Sequence, residues 1–367
     1  MYDFPEEVSV ISQVIIYLMV VFMVLGAIDR MIGNKFGLGK EFENGIMAIG
    51  PLALSMWGII CFAPVLADLL RPVIVPVFRV FGADPGMFPG CILACDMGGA
   101  SLALELAEDP QIGLFGGTVV GAMLGATIVF TIPMALGVVS AEDRPFMAKG
   151  ILSGIITIPV GAFVGGLMAG IGIMDVVLNL VPIVIFALLI ALGLWKAERI
   201  MIKGFSVFGH IVLIVITLGL ACAIVEALTG IVIIPGLAPL EEGYTTVGSI
   251  AIVLAGAFPL IYTITKVLNK PLLKLGKLLG MNEVAAAGMV ASLANSIPVF
   301  GMVKDMDDRG KVLNMAFAVS AAFVFGDHLG FTAGFAPEML TAVIVAKLVA
   351  GISAVAVAML LTKRSDK

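Results

Sequence analysis

The feature that most constrains this chain is a succession of apolar, nearly uncharged runs, each about 20 residues long, that follow one another along all 367 residues. Wound as helices at 1.5 Å per residue, such runs match the roughly 30 Å hydrocarbon core of a bilayer. They are continuous, not the ten-residue alternating segments of a β-barrel. A backbone inside lipid must satisfy its own hydrogen bonds, and helices do so. The chain therefore reads as an all-α, polytopic integral membrane protein. Only 13% of its residues are charged and 60% are hydrophobic, whereas a soluble domain carries roughly 25% charged residues. The net charge of −5 is spread over loops and offers no footing for nucleic acid.

Runs bounded by charge or by Pro/Gly clusters place spans near 8–28, 45–67, 86–104, 112–139, 146–170, 173–195, 204–228, 247–265, 284–303, 312–335 and 338–362. That makes about 10–11 helices in one transmembrane transporter domain covering 1–367. The stretch 69–82, with Pro72, Pro76, Arg71 and Arg79, is too short to span and reads as interfacial or re-entrant. The N-terminus, 1–7, is acidic and lacks the basic region of a cleavable signal, so 8–28 is expected to stay as the first span.

Orientation follows from Lys and Arg in short loops. Lys196, Arg199 and Lys203 mark one loop, and Lys266, Lys270, Lys274 and Lys277 mark another two spans later. Both face the cytoplasm, and 231–246, with Glu241 and Glu242, lies outside. With eleven full spans, however, Lys363 and Arg364 fall outside, and so do Arg30, Lys35 and Lys40. One element must be re-entrant, or the count is off by one.

An internal similarity sets Thr131-Ile132-Pro133 on Ser296-Ile297-Pro298 and Glu142-Asp143-Arg144 on Asp307-Asp308-Arg309. It would divide the chain into inverted halves, 1–170 and 173–335, with a final helix at 338–362. A competing register sets Pro72 on Pro271 and Asp96 on Asn295. Glycines recurring every four residues, such as Gly117, Gly121 and Gly125, give faces for close helix approach.

Three constellations could carry chemistry. Asp96 sits in Ala94-Cys95-Asp96-Met97-Gly98-Gly99, with Gly86, Pro89 and Gly90 upstream. So many helix-weakening residues around one acid predict an unwound helix facing a cavity that suits a cation; the alternative is a packing kink. Asp327 and His328 lie in Gly326-Asp327-His328-Leu329-Gly330, inside an apolar span. Ionisable groups there mark function by default, although a structural polar cluster is the alternative. Adjacent helical positions point about 100° apart, so the two should not pair with each other. Third, Asn295 and Ser296 precede Pro298, which frees the carbonyl of Ala294. They make either a second wall of the site or a hydrogen-bonded kink. Cys61, Cys91, Cys95 and Cys222 all lie in apolar segments and read as small hydrophobes. Neither a metal-ligand motif nor a nucleotide-binding loop is evident, so no cofactor is expected.

The run from Asn282 through Asn295, its continuation through Ile297-Pro298, Asp308-Arg309-Gly310-Lys311 and Gly326-Asp327-His328-Leu329-Gly330, and the earlier Leu93-Ala94-Cys95-Asp96-Met97-Gly98-Gly99 resemble the ethanolamine permeases of bacterial ethanolamine-utilisation operons. The resemblance covers nearly the whole chain. It implies a multi-pass protein of the bacterial inner membrane that admits ethanolamine, chiefly protonated; a homo-oligomer is compatible with it. The resemblance assigns no binding residues, so Asp96, Asp327, His328, Asn295 and Ser296 stand on the chemistry above.

That chemistry suits the substrate. An amine with a pKa near lysine's, roughly 10, is almost wholly charged at acidic pH and needs a route through lipid. The expected mechanism is facilitated diffusion, with Asp96 and Asp327 drawing the ammonium and Asn295 and His328 taking the hydroxyl. Two rivals remain: a sodium- or proton-coupled symporter of a related amine or amino acid, and an intramembrane aspartyl protease built on the two acids. The protease signature is broken, because Val324 stands where a glycine is needed and Cys95 where a tyrosine is.

Overall fold

The computed structural model describes residues 8–362, all of them helical or in the turns between helices. The acidic N-terminus, and Lys363 and Arg364, lie outside the described residues. In order, the helices are α1 (Val10–Met31), α2 (Leu38–Met47), α3 (Ile49–Val80), α4 (Met87–Ile92), α5 (Gly99–Leu106), α6 (Pro110–Leu114), α7 (Ile132–Val138), α8 (Arg144–Ile155), α9 (Ile158–Met168) and α10 (Ile173–Thr229). There follow α11 (Leu240–Leu278), α12 (Glu283–Ser292), α13 (Ile297–Met302), α14 (Asp308–Ala321), α15 (Asp327–Phe335) and α16 (Leu340–Leu361). Between α6 and α7 the chain stays helical but widens, with Ala126 N–H reaching Gly121 O and Ile132 N–H reaching Thr127 O. α10 is two helices joined at a break at Ala197.

Among the described residues, eight helical stretches are long and apolar enough to cross a bilayer: Val10–Met31, Leu38–Val80, Pro110–Val138, Arg144–Met168, Ile173–Ala197, Arg199–Thr229, Leu240–Val267 and Pro337–Leu361. α14 and α15, interrupted at 322–326, make a further interrupted span. The stretch 69–82 is not an element of its own, because most of it belongs to α3, a helix of 32 residues that contains Pro64, Pro72 and Pro76.

The two remaining apolar segments, with expected spans at 86–104 and 284–303, are instead hairpins over 87–106 and 283–302. In the first, the two ends meet: a Cβ built on Gly86 would lie 2.8 Å from the Ala107 Cβ. The Asp84 carboxylate fastens that mouth, accepting from the N–H groups of Gly86 at 2.7 Å, Asp109 at 2.8 Å and Glu108 at 3.0 Å. In the second, Asp307 accepts from Asn282 N–H at 2.7 Å, and the Asn282 amide donates to Asp305 O at 3.0 Å. Each hairpin thus enters and leaves on one side, closed by an aspartate.

Two faces emerge. One gathers Asp84, Gln111, Ala169 and Asn179, joined by the bonds Asp84 N–H to Asn179 and Gln111 to Ala169 O. The other gathers Asp143, Leu279, Asp307, Lys311 and Thr362: Lys311 contacts Asp143 at 2.7 Å, and Arg309 bonds the carbonyls of Leu279 and Thr362. With two hairpins in place of two spans, the contradiction over the basic loops disappears. Among the Lys and Arg whose side chains are described, all except Arg71, Arg79 and the buried Lys347 fall on the second face or its loops, the distribution that the positive-inside rule associates with a cytoplasmic side.

Candidate functional site

The hairpin tips are where the helices fail, and each failure has a local cause. At 93–98, Leu93 and Ala94 adopt extended geometry and Gly98 turns left-handed at φ 86°, where a side chain would run into Ile59. The Ala94 carbonyl takes the N–H groups of Met97 and Gly99 and closes a tight turn that carries Asp96. Glycines behind the turn admit it: a Cβ on Gly125 would collide with Leu93 O, and one on Gly121 would come within 3.2 Å of Cys95 N.

The second tip, 293–296, pairs with the break in the α14–α15 span. Phe323 N–H donates to Ser292 O at 3.0 Å and Phe325 N–H to Leu293 O at 2.9 Å. Backbone groups freed by one break thus satisfy those freed by the other, as a low-dielectric interior requires. A Cβ on Gly326 would collide with Ala294 O, so the close approach needs glycine. Phe323 pays for the turn with φ 61°, a left-handed conformation costly for a bulky residue.

Three of the five predicted site residues converge. Asp96 from the first tip, and Asp327 and His328 from the start of α15, line one cavity of about 410 Å³. His328 Nε2 lies 3.9 Å from Asp96 Oδ1, too long for a hydrogen bond, and Nδ1 is buried without a partner. The imidazole therefore approaches the acid of the other element, in keeping with the divergence expected of neighbouring helical positions. Phe323 and Phe130 line the same cavity, ring to ring at 5.7 Å, and Phe323 lies 5.2 Å from the His328 ring.

Asn295 and Ser296 do not line it. Asn295 Oδ1 accepts from Ile297 N–H at 2.8 Å and starts α13, while Ser296 Oγ is buried without a partner. Both lie in the tip whose neighbours Ser292 and Leu293 pair with the break before Asp327. A larger cavity of about 500 Å³ near Met289, Phe317 and Leu348 is walled by apolar groups and has no charge to offer a cation.

One ionisable group escaped the sequence reading. Lys347, in the middle of α16, is 1% exposed, and its Nζ donates to Ala122 O at 2.6 Å. A lone base within an apolar run is the same signal that singled out Asp327. The ligand atoms of Cys95, Asp96 and His328 all lie within 4.8 Å of one another, a donor set that a borderline divalent ion accepts. Lys347 lies near Cys95 and Asp96.

Comparison with known proteins gives this geometry a setting. The family model described as "Ethanolamine utilisation protein, EutH" matches residues 11–361. "Probable ethanolamine permease EutH" of Listeria monocytogenes is 61% identical over 97% of this chain and 96% of its own length. "Uncharacterized protein YxeR" of Bacillus subtilis is 49% identical, covering 96% of this chain and 95% of its own. "Probable ethanolamine permease EutH" of Escherichia coli is 46% identical over 97% of each. No solved structure matches the chain.

Proposed function

The chain belongs to the EutH family of ethanolamine utilisation proteins, and from that premise we propose that it carries ethanolamine across the bacterial cytoplasmic membrane as the ammonium ion, by facilitated diffusion. It is a permease and not an enzyme, so the protease reading is set aside. The observation that carries the proposal is the convergence of Asp96 and Asp327, from two different broken elements, on one cavity. A bare charge at mid-membrane costs at least about 3 kcal/mol, and carboxylates in a cavity with room for water offset it.

In this reading Asp96 and Asp327 hold the ammonium, with the Phe130 and Phe323 rings adding cation–π attraction. His328 lines the same cavity and is the partner for the hydroxyl. Asn295 and Ser296 support the site through the backbone of their tip.

Alternating access is supplied by two inverted copies, in the register that sets Asp96 on Asn295. In each copy one long helix leads into the hairpin, and the span after it is widened or broken: Leu38–Val80, 87–106 and Pro110–Val138 in the first, α11, 283–302 and 308–335 in the second. A division at Val10–Met168 and Arg199–Leu361 suits that order better than halves at 1–170 and 173–335. Hairpins that open to opposite faces, with tips at a shared centre, support rocking about the cavity.

The test is uptake of labelled ethanolamine at acidic pH by proteoliposomes holding the purified protein. Asp96→Asn and Asp327→Asn should each lower uptake about tenfold or more, the size of a lost charge-assisted bond. Undiminished uptake by the double variant would sink the site. Dependence of uptake on an imposed sodium or proton gradient would replace facilitated diffusion with symport.

A further inference from the structure

Resting on that reading, we propose that Lys347 determines specificity by fixing the charge of the cargo at a single positive charge. Its side chain is buried in α16 and tied by Nζ to the carbonyl of Ala122 at 2.6 Å. Ala122 adjoins Gly121, which packs directly on Cys95 at the tip that bears Asp96. Lys347 is not among the residues that line the cavity, so its ammonium stands behind the site. The ionisable groups around it are Cys95, Asp96 and His328, and Asp327 faces the same cavity from α15.

A charge count shows what the lysine does. If Asp96 and Asp327 are counted as carboxylates, Lys347 as an ammonium, and the imidazole and thiol as neutral, the empty site carries one net negative charge. A monovalent ammonium brings it to neutrality. A dication would leave a net positive charge in a low-dielectric interior, which is strongly disfavoured.

Without Lys347 the two carboxylates would instead fit a dication. It could be a short diamine, or a divalent metal on Cys95, Asp96 and His328, whose ligand atoms already lie within 4.8 Å of one another. Size cannot make this distinction. Ethylenediamine differs from ethanolamine only by an ammonium in place of a hydroxyl, and shape rejects near-isosteres weakly.

The experiment is competition against labelled ethanolamine uptake in proteoliposomes, at an acidic pH where both ethylenediamine nitrogens are protonated. Unlabelled ethanolamine, ethylenediamine and Zn²⁺ are the competitors. In the wild type, ethylenediamine should compete at least about tenfold more weakly than ethanolamine, and Lys347→Arg should keep that preference. In Lys347→Met the preference should move toward the dication by about tenfold or more, and Zn²⁺ should inhibit at correspondingly lower concentration.

Equal competition by ethylenediamine in the wild type overturns the proposal without any variant. An unchanged preference in Lys347→Met overturns it as well. If Lys347→Met does not transport, thermal stabilisation of the detergent-purified variant by each of the three compounds reads the same preference, with the same two outcomes. A wild type that takes up no ethanolamine would instead overturn the permease reading itself.

Discussion

At the scale of single residues, the site depends on positions where no other side chain fits. Gly326 lies against Ala294 O so closely that a methyl group must push the α14–α15 break away from the second tip. Gly326→Ala should therefore lower stability by about 2 kcal/mol, as overpacking does, and abolish ethanolamine uptake. Thermal unfolding in detergent and a flux assay together check both halves. Asp143 offers a contrast, because it works away from the cavity. The Lys311 ammonium, 2.7 Å away, holds its carboxyl below the usual carboxylate range despite the opposing effect of burial. For an acid with a depressed folded value, the stabilisation is complete above the unfolded value, near 3.9, and fades as pH falls through the folded one. Asp143→Asn should thus cost about 1.5–3 kcal/mol, the range of a hydrogen bond to a charged group, unchanged between pH 5 and 8. The gap from wild type should close only below about pH 4, which a series of melting curves would reveal.

At the scale of elements, the hairpins are built from helices too short to stand alone, and their aspartates hold them shut. Asp84 accepts three backbone N–H groups at the mouth of the first hairpin. Asp84→Ala should cost about 2–3 kcal/mol and slow uptake by loosening the turn that carries Asp96; Glu, one methylene longer, should restore little. Equal melting temperatures for wild type and Asp84→Ala would refute this role. Much of this level was legible in the sequence. Asp96 and Asp327 were conspicuous as acids in apolar surroundings, and Gly98, Gly99 and Pro298 announced the breaks beside them. Re-entrance was not legible from hydropathy, because a hairpin of about 20 apolar residues has the length and composition of a span. Its only trace was the misplaced basic loops. Phe323 could not be told apart among 22 phenylalanines, since its left-handed backbone arises from pairing with a distant tip.

At the scale of the whole molecule, the first hairpin opens to the face of Asp84 and the second to the basic face of Asp307 and Arg309. Cysteine labelling can read this directly. In a background lacking the four native cysteines, a probe that cannot cross the membrane should label Glu108→Cys from outside and Lys304→Cys only after the membrane is opened. Both side chains are exposed at the hairpin mouths. Labelling of both from one face would undo the topology. The same arrangement bears on how the chain is made. Helical arms of six to ten residues cannot hold a place in lipid by themselves, and their tips leave backbone groups unpaired until a later segment arrives. The second tip finds its partners, Phe323 and Phe325, only when 308–335 has been synthesised. The cavity is therefore among the last parts of the protein to form, and a chain stalled before Phe323 would sit in the membrane with its second hairpin unanchored, a substrate for membrane quality control.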